Sequence, residues 1–444
     1  MKITFILPAI GRKKNKQYIK SWAVFPPVAF GILKALTPPE IEIEFIDDRK
    51  DYIDFSLSTD CVALSVESCT AKRAYYIAEQ FRGRRIPVII GGSQATFIPG
   101  EVQNFCDAVY IGNAEDKWRE VLADLDRGKL KKKYVAAPGF STTVPDNTIF
   151  KNNYAPISLI ESARGCYFDC AICSIARYYK KQFFPRPIES IVKEFKASPN
   201  PYIFLLDDNL IARREFTIEL LQNLRPLKKK WISQASIQIA CDEKLLDLAY
   251  RAGCRELFIG FESLDESTLA SINKKWSLSF GKLDDLVKKI HNHGISIYAN
   301  FVFGFDQDTL KSFDDVYEFS HRHSFQMVGY NTLLPYPNTA IYNTLLKHGR
   351  MTHPRWWLDP DFQFGDIPFI PKNMTKEQLI EKSRQLRLAF YNPKSIFKRA
   401  WHFISHGMDP GLSIVALFQY LMMGREVNNK LNIPLGENLD SAGK

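Results

Sequence analysis

Cys166, Cys170 and Cys173 stand in Arg-Gly-Cys-Tyr-Phe-Asp-Cys-Ala-Ile-Cys, a C-x3-C-x2-C triplet closely following the apolar run Ile157–Ile160. Three thiolates on one short loop suit three irons of a cubic iron–sulphur cluster and leave the fourth iron open to a ligand. Structural clusters usually take four cysteines, so three point to catalysis. A zinc site wants a fourth Cys or His at matching spacing, and the next histidine in the chain is His291. A disulfide with a spare thiol belongs to secreted proteins, and nothing in this chain looks secreted.

Elements must position that loop. From 151 to 345 strand and helix patterns alternate. Apolar strand candidates are Ile157–Ile160, Tyr202–Leu206, Ile232–Ile239, Leu257–Phe261, Ile297–Phe303 and Met327–Leu334. Helices fit Ile188–Phe195, Phe216–Leu224, Glu243–Ala252, Asp284–His291 and Thr309–Phe319, with Gly253 and Gly294 as stops. Six strands fit a partial, open (β/α)6 barrel, whose strand ends carry the chemistry. The second strand ends in Asp207-Asp208-Asn209, acceptors suited to an ammonium group or to ordering a loop. A helix N-cap is the plainer reading of that cluster. The fourth strand ends at Glu262, a carboxylate placed to accept bonds from ribose hydroxyls.

Residues 1–150 alternate in the same way, with apolar runs at Ile3–Leu7, Ile41–Ile46, Val62–Val66, Val88–Ile90 and Ala108–Ile111. Helix-like stretches are Val28–Leu36, Ala71–Arg82 and Asp116–Leu125. The pattern predicts an α/β, doubly wound (flavodoxin-like) parallel sheet that binds ligands at its carboxyl ends. Those ends are Ser65-Val66-Glu67-Ser68, Gly91-Gly92-Ser93-Gln94 and Gly112-Asn113-Ala114-Glu115. Their glycines either admit a ligand to the backbone or only make tight turns.

Residues 346–444 predict a small helical segment. Trp356, Trp357, Phe362 and Phe364 precede a helix N-capped by Thr375 and running through Phe390. Tyr391, Ile396, Phe397, Trp401 and Phe403 follow, an aromatic density that lines a cleft or seals the barrel. The polar tail Gly436–Lys444 reads as disordered.

Over 444 residues, 45% of them apolar, the chain has substantial cores. Its N-terminal apolar run is too short for a signal peptide, and Leu412–Met423 is too short to span a bilayer. A soluble, cytoplasmic protein is expected. Cys61, Cys69, Cys106, Cys241 and Cys254 read as free thiols in a reducing compartment. The charge of +10 gathers at Arg12–Lys14, Lys131–Lys133 and Lys228–Lys230, which read as solvated loops. No nucleic-acid-binding motif is present. His291 with His293, and His321 with His323, read as helix-end caps rather than metal pairs.

Several blocks resemble one family. Trp22, Pro26-Pro27, Leu36-Thr37-Pro38, Asp47-Asp48-Arg49, Gly91-Gly92-Ser93-Gln94-Ala95-Thr96 and Ile111-Gly112-Asn113-Ala114-Glu115 resemble the cobalamin-binding domain of cobalamin-dependent radical S-adenosylmethionine (SAM) enzymes. The cysteine loop is similar to the radical SAM signature, with Ile172 at its hydrophobic slot. Phe204–Asn209, Trp231-x2-Gln234-Ala235, Ala252-Gly253-Cys254, Phe258–Ser263, Phe303–Asp306 and Pro335–Thr339 resemble the same branch. Ser93, Gln94, Asn113 and Asn338 depart from the family's wording, and no Asp-x-His-x-x-Gly supplies a histidine for the lower face of cobalt.

The resemblance implies a [4Fe-4S] cluster on the three cysteines, SAM on its open iron, and cobalamin at the N-terminal strand ends. It implies SAM contacts from Asp207, Asp208, Asn209 and Glu262, and an electron donor such as flavodoxin or ferredoxin. The implied reaction is C-methylation: a SAM-derived radical takes hydrogen from an unactivated carbon, which then receives a methyl from cobalt. The substrate stays open among a peptide or protein residue, a lipid or isoprenoid, and a tetrapyrrole. A cyclase or isomerase without methyl transfer, and a corrinoid-binding module with a structural cluster, are the alternatives.

Overall fold

The computed structural model describes residues 1–13, 24–139, 142–150, 154–405, 409, 411 and 431–439. Trp22, Lys14, Leu412–Met423 and the last tail residues lie outside them; Trp401 and Phe403 belong to a described helix, but their side chains are not described.

Strands β1 (Lys2–Leu7), β2 (Glu42–Asp47), β3 (Cys61–Ser65), β4 (Val88–Gly91), β5 (Ala108–Ile111) and β6 (Lys133–Val135) form one sheet in the order β2-β1-β3-β4-β5-β6. Every pairing is parallel. Ile3, Phe5, Ala63, Ile89 and Tyr110 face one apolar cluster, with Phe30 and Trp118 from helices Val28–Leu36 and Trp118–Asp126. Ile6, Val62, Leu64, Val88 and Ile90 face another, with Ala74 and Phe81 from helix Ala71–Gly83. With both faces covered, alternation disappears and the strands read as continuous apolar runs. Each fully buried Phe or Ile contributes about 1.5–3 kcal/mol.

Two basic clusters depart only in part from the solvated loops expected: Lys131, Lys132 and Lys133 are all exposed, but Lys133 belongs to a strand, and Arg12 is buried. β6 begins at Lys133 and shows the exposed–buried–exposed pattern of an edge strand, with only Tyr134 buried. Arg12 is buried and donates to the Asp48 carbonyl.

The central sheet contains β7 (Ile157–Ile160), β10 (Tyr202–Leu205), β11 (Lys230–Gln234), β12 (Cys254–Glu262), β13 (Ser296–Phe303) and β14 (Met327–Thr332). A short antiparallel pair, β8 (Ala163–Arg164) and β9 (Phe184–Pro185), falls between β7 and β10. The six strands pair in sequence order, all parallel, as an open (β/α)6 barrel. Ile157, Leu159, Phe204, Ile232 and Phe258 pack together in a small separate cluster. The expected strand Ile232–Ile239 ends at Gln234; Ile237–Cys241 is a 3-10 turn whose Ile237, Ile239 and Ala240 are buried without being extended. Gly253 and Gly294 take φ of +106° and +74°, as helix stops require.

The open edge at β14 is covered by helix Lys376–Phe390, which Thr375 caps through its hydroxyl to Gln378 N. Tyr391 Oη donates to the Val328 carbonyl at 2.8 Å and accepts from Val328 N at 3.1 Å. Arg387 Nε donates to the Tyr330 carbonyl at 2.7 Å. Side chains thus satisfy backbone groups that a seventh strand would have paired. The disorder expected from Gly436 is also corrected for residues 436–439. β15 (Gln363–Phe364) pairs with β16 (Ile433–Pro434), Gly436 N reaches the Ile10 carbonyl, and Leu439 is buried. Among the described residues, no helix is long and apolar enough to cross a membrane.

Candidate functional site

The cysteine loop is anchored from three directions. Ala171 N donates to the Ile272 carbonyl, Ile341 N donates to the Ala171 carbonyl, and Phe168 stacks on Trp276 at 3.7 Å. Cys166, Cys170 and Cys173 are all free and partly buried. Burial pushes all three thiols up, Cys170 to about 11, so they stay protonated until a metal binds them. Among the described residues, no three His, Cys, Asp or Glu side chains converge on the position of a single metal ion. A cubic cluster asks for a different arrangement, one thiolate per iron, and three neighbouring thiols on one anchored loop fit it.

The Asp-Asp-Asn cluster does not cap a helix, since the next helix starts at Arg214. Asp207 is buried, and both its oxygens are engaged by Ser162 and Ala163. Of the two roles open to it, Asp207 therefore takes loop ordering rather than ammonium binding. Asp208 Oδ2 accepts from Gly165 N at 2.7 Å, while Oδ1 takes no protein bond among the described residues. Burial raises both carboxyls to about 6. Asn209 Oδ1 accepts from Ser236 N, and its side chain also meets the Cys166 thiol.

Glu262 ends β12 with φ of +64°. Its Oε1 meets Lys274 Nζ at 2.7 Å, and Nζ also donates to the Gly260 carbonyl at 2.8 Å. Burial works against the Lys274 charge, but Glu262 and the neighbouring Cys170 and Cys173 outweigh it and raise its pKa. Nothing in Asn273-Lys274-Lys275 marks Lys274 in the sequence; its role exists only through residues 12 and 14 positions away.

The N-terminal strand ends divide. Ser65, Gly91, Gly92, Gly112, Asn113, Ala114 and Glu115 line a slot of about 230 Å³ that runs beneath helix Val28–Leu36. Its opposite wall is Glu161, Arg164, Tyr178 and Tyr179, from the segment carrying the cysteines. Asn113 Oδ1 accepts from the Tyr178 and Tyr179 hydroxyls, and Arg164 meets Glu115 at 2.8 Å. Val66, Glu67, Ser68, Ser93 and Gln94 do not line the slot. Gln94 is buried, accepting from Ser68 Oγ and donating to Glu101, and Glu67 closes the capping box with Thr70.

A second cleft, of about 530 Å³, lies between β13, β14 and the C-terminal segment. Tyr298, Tyr330, Tyr336, Trp356, Phe362 and Phe364 make it strongly aromatic. Ile172 brings the cysteine loop to its wall, and Cys69 does so for the N-terminal domain. Trp357 instead turns to Glu101, donating from Nε1 at 2.9 Å, and is part of the packing between the two ends of the chain. Of the histidines expected to cap helix ends, His293 Nδ1 meets the Lys289 carbonyl, whereas His323 pairs with Asp284 rather than with a helix carbonyl.

Residues 160–320 match the model of the Radical SAM superfamily. The bacteriochlorophyllide d C-12(1)-methyltransferase of Chlorobaculum tepidum is 29% identical over 405 residues, covering 87% of each chain. The bacteriochlorophyllide d C-8(2)-methyltransferase of the same organism is 28% identical over 74% of this chain and 78% of its own. Among solved structures, the cobalamin-dependent S-adenosylmethionine radical enzyme OxsB superposes with a TM-score of 0.63 at 15% identity, covering 96% of this chain and 71% of OxsB. That likeness is one of fold.

Proposed function

We propose that this chain, whose residues 160–320 match the Radical SAM superfamily model, is a cobalamin-dependent radical SAM C-methyltransferase acting on an apolar small molecule of the tetrapyrrole class. One observation carries the reading: the segment from Glu161 to Tyr179 is a wall shared by two cavities. The segment that carries the thiols lines a glycine-edged slot through Glu161, Arg164, Tyr178 and Tyr179, and an aromatic cleft through Ile172. A methyl donor in the slot and a substrate carbon in the cleft would both lie next to the cluster. The names of the two relatives favour a tetrapyrrole over a peptide residue.

Bound together, cluster and SAM supply a radical able to take hydrogen from an unactivated carbon, and the corrinoid supplies the methyl group. The chain's own residues do the positioning. Cys166, Cys170 and Cys173 would hold the cluster, and Asp207 fixes the loop that presents them. The open oxygen of Asp208 is suited to the amino group of SAM, and Glu262, steadied by Lys274, to its ribose. Ser65, Gly91, Gly92, Gly112 and Asn113 offer strand-end backbone to the corrinoid. The aromatic cleft excludes water from a reactive carbon.

The test is anaerobic turnover of reconstituted protein with methyl-labelled SAM, a reductant and a candidate tetrapyrrole. 5′-Deoxyadenosine and a labelled product gaining one carbon and two hydrogens are expected, both lost in Cys166→Ala, Cys170→Ala and Cys173→Ala. Cleavage with an unlabelled product would replace methylation with a cyclase-type outcome. No cleavage at all would leave a corrinoid-binding module.

A further inference from the structure

Arg387 projects from helix Lys376–Phe390 into the aromatic cleft, among Tyr298, Tyr330 and Tyr391. Among the described residues only its Nε is engaged, by the Tyr330 carbonyl at 2.7 Å. That bond fixes the plane of the guanidinium. No carboxylate meets its two terminal nitrogens among the described residues. Three other arginines do meet carboxylates: Arg73 meets Asp48, Arg164 meets Glu115 and Glu161, and Arg186 meets Glu194, whereas buried Arg12, like Arg387, donates to a backbone carbonyl. One acid, Asp366, lines the same cleft; its Oδ2 accepts from Gln363 N, and it makes no ion pair with Arg387. Burial pulls the Arg387 charge down, with only the phenols of Tyr391 and Tyr298 opposing it. A desolvated cation without an anion is costly, and an incoming anion relieves that cost.

We propose that Arg387 anchors a carboxylate of the substrate, so that the cleft takes an apolar skeleton bearing one acidic arm. The inference rests on the reading of this cleft as the substrate site. A guanidinium held through Nε presents its terminal nitrogens as a pre-set fork, the geometry that binds a carboxylate through two parallel bonds. The anchored arm would set which carbon of the skeleton lies beside Ile172 and the cysteine loop. Arg387 is thereby a specificity-determining residue as well as part of the barrel's edge.

The test is equilibrium binding of two acid–ester pairs to the anaerobic holoprotein. One pair is a tetrapyrrole monocarboxylic acid and its methyl ester; the other is a linear isoprenoid acid and its methyl ester. On the skeleton that fits, the acid should bind roughly tenfold or more tightly than the ester. Arg387→Gln should close that gap without weakening the ester, and Arg387→Lys should restore it in part. Because Arg387 also holds Tyr330, the wild-type gap is read first and needs no variant. Equal binding of acid and ester on both skeletons, no binding by either pair, or a gap that survives Arg387→Gln would overturn the inference. Release of 5′-deoxyadenosine by the same preparation reports separately on the radical SAM reading.

Discussion

Glu262 and Lys274 show how much of the site depends on single atoms. A Cβ at Gly260 would lie 2.4 Å from Glu262 Oε1 and 3.2 Å from Lys274 Nζ, so glycine there makes room for the pair. Glu262→Gln should raise KM for SAM roughly tenfold, as expected for a charged hydrogen bond, while leaving iron content intact. KM and iron assays on one preparation check this. Glu256 offers a pH test away from the thiols. It is buried, and burial raises its carboxyl to about 8 against only the Ser296 hydroxyl. An acid raised on folding keeps its proton where the unfolded chain has lost it. Wild-type stability should therefore fall as pH rises from about 4.5 to about 8, by up to about 1.4 kcal/mol per pH unit. Glu256→Gln should flatten that fall, measured as melting temperature against pH. The sequence made Cys166, Cys170 and Cys173 legible because their spacing is local. Lys274, Arg164 and Arg387 carry no local pattern; each acquires its role from residues distant in the chain or from a cavity.

Elements repeat the lesson in another form. Strands buried on both faces were readable as apolar runs, and their carboxyl ends pointed to the slot residues. β6 was not readable, because an edge strand needs only Tyr134 buried and tolerates lysines beside it. Ile237–Cys241 misled in the opposite sense, being apolar because it is buried rather than because it is extended. Asn338 departs from the glycine its family block usually carries, yet φ is +64° there. Asn is among the few side chains that accept that region readily, and its amide also reaches the Phe97 carbonyl. Closure of the barrel's open edge was legible only as an aromatic density including Tyr391 that could seal the barrel; the part played by Arg387 had no sequence signal. Tyr391→Phe would leave the Val328 N–H and carbonyl unpaired in a buried position. It should cost about 1–3 kcal/mol in chemical denaturation, with little change in iron content.

At the scale of the molecule, Arg164 links the two halves. It precedes the cysteine loop by two residues, meets Glu161 at the end of β7, and meets Glu115 beyond β5 of the N-terminal sheet. All three side chains are largely buried, and both carboxylates face one cation. Glu101 makes a second link, accepting from Gln94 of its own domain and from Arg355 and Trp357 of the C-terminal segment. Arg164→Met would remove the shared cation and leave two buried carboxylates opposed, a change worth about 3–5 kcal/mol when one partner of a buried pair is lost. Because the bridge joins separate sheets, the loss should fall on their association more than on either core. Calorimetry should then resolve one cooperative transition into two. Replacing Glu115 as well, in Arg164→Met with Glu115→Gln, should restore part of the coupling by removing the repulsion. A single undivided transition in Arg164→Met would mean that the remaining contacts, those of Glu101, Asn113 and Asn338 among them, hold the halves together.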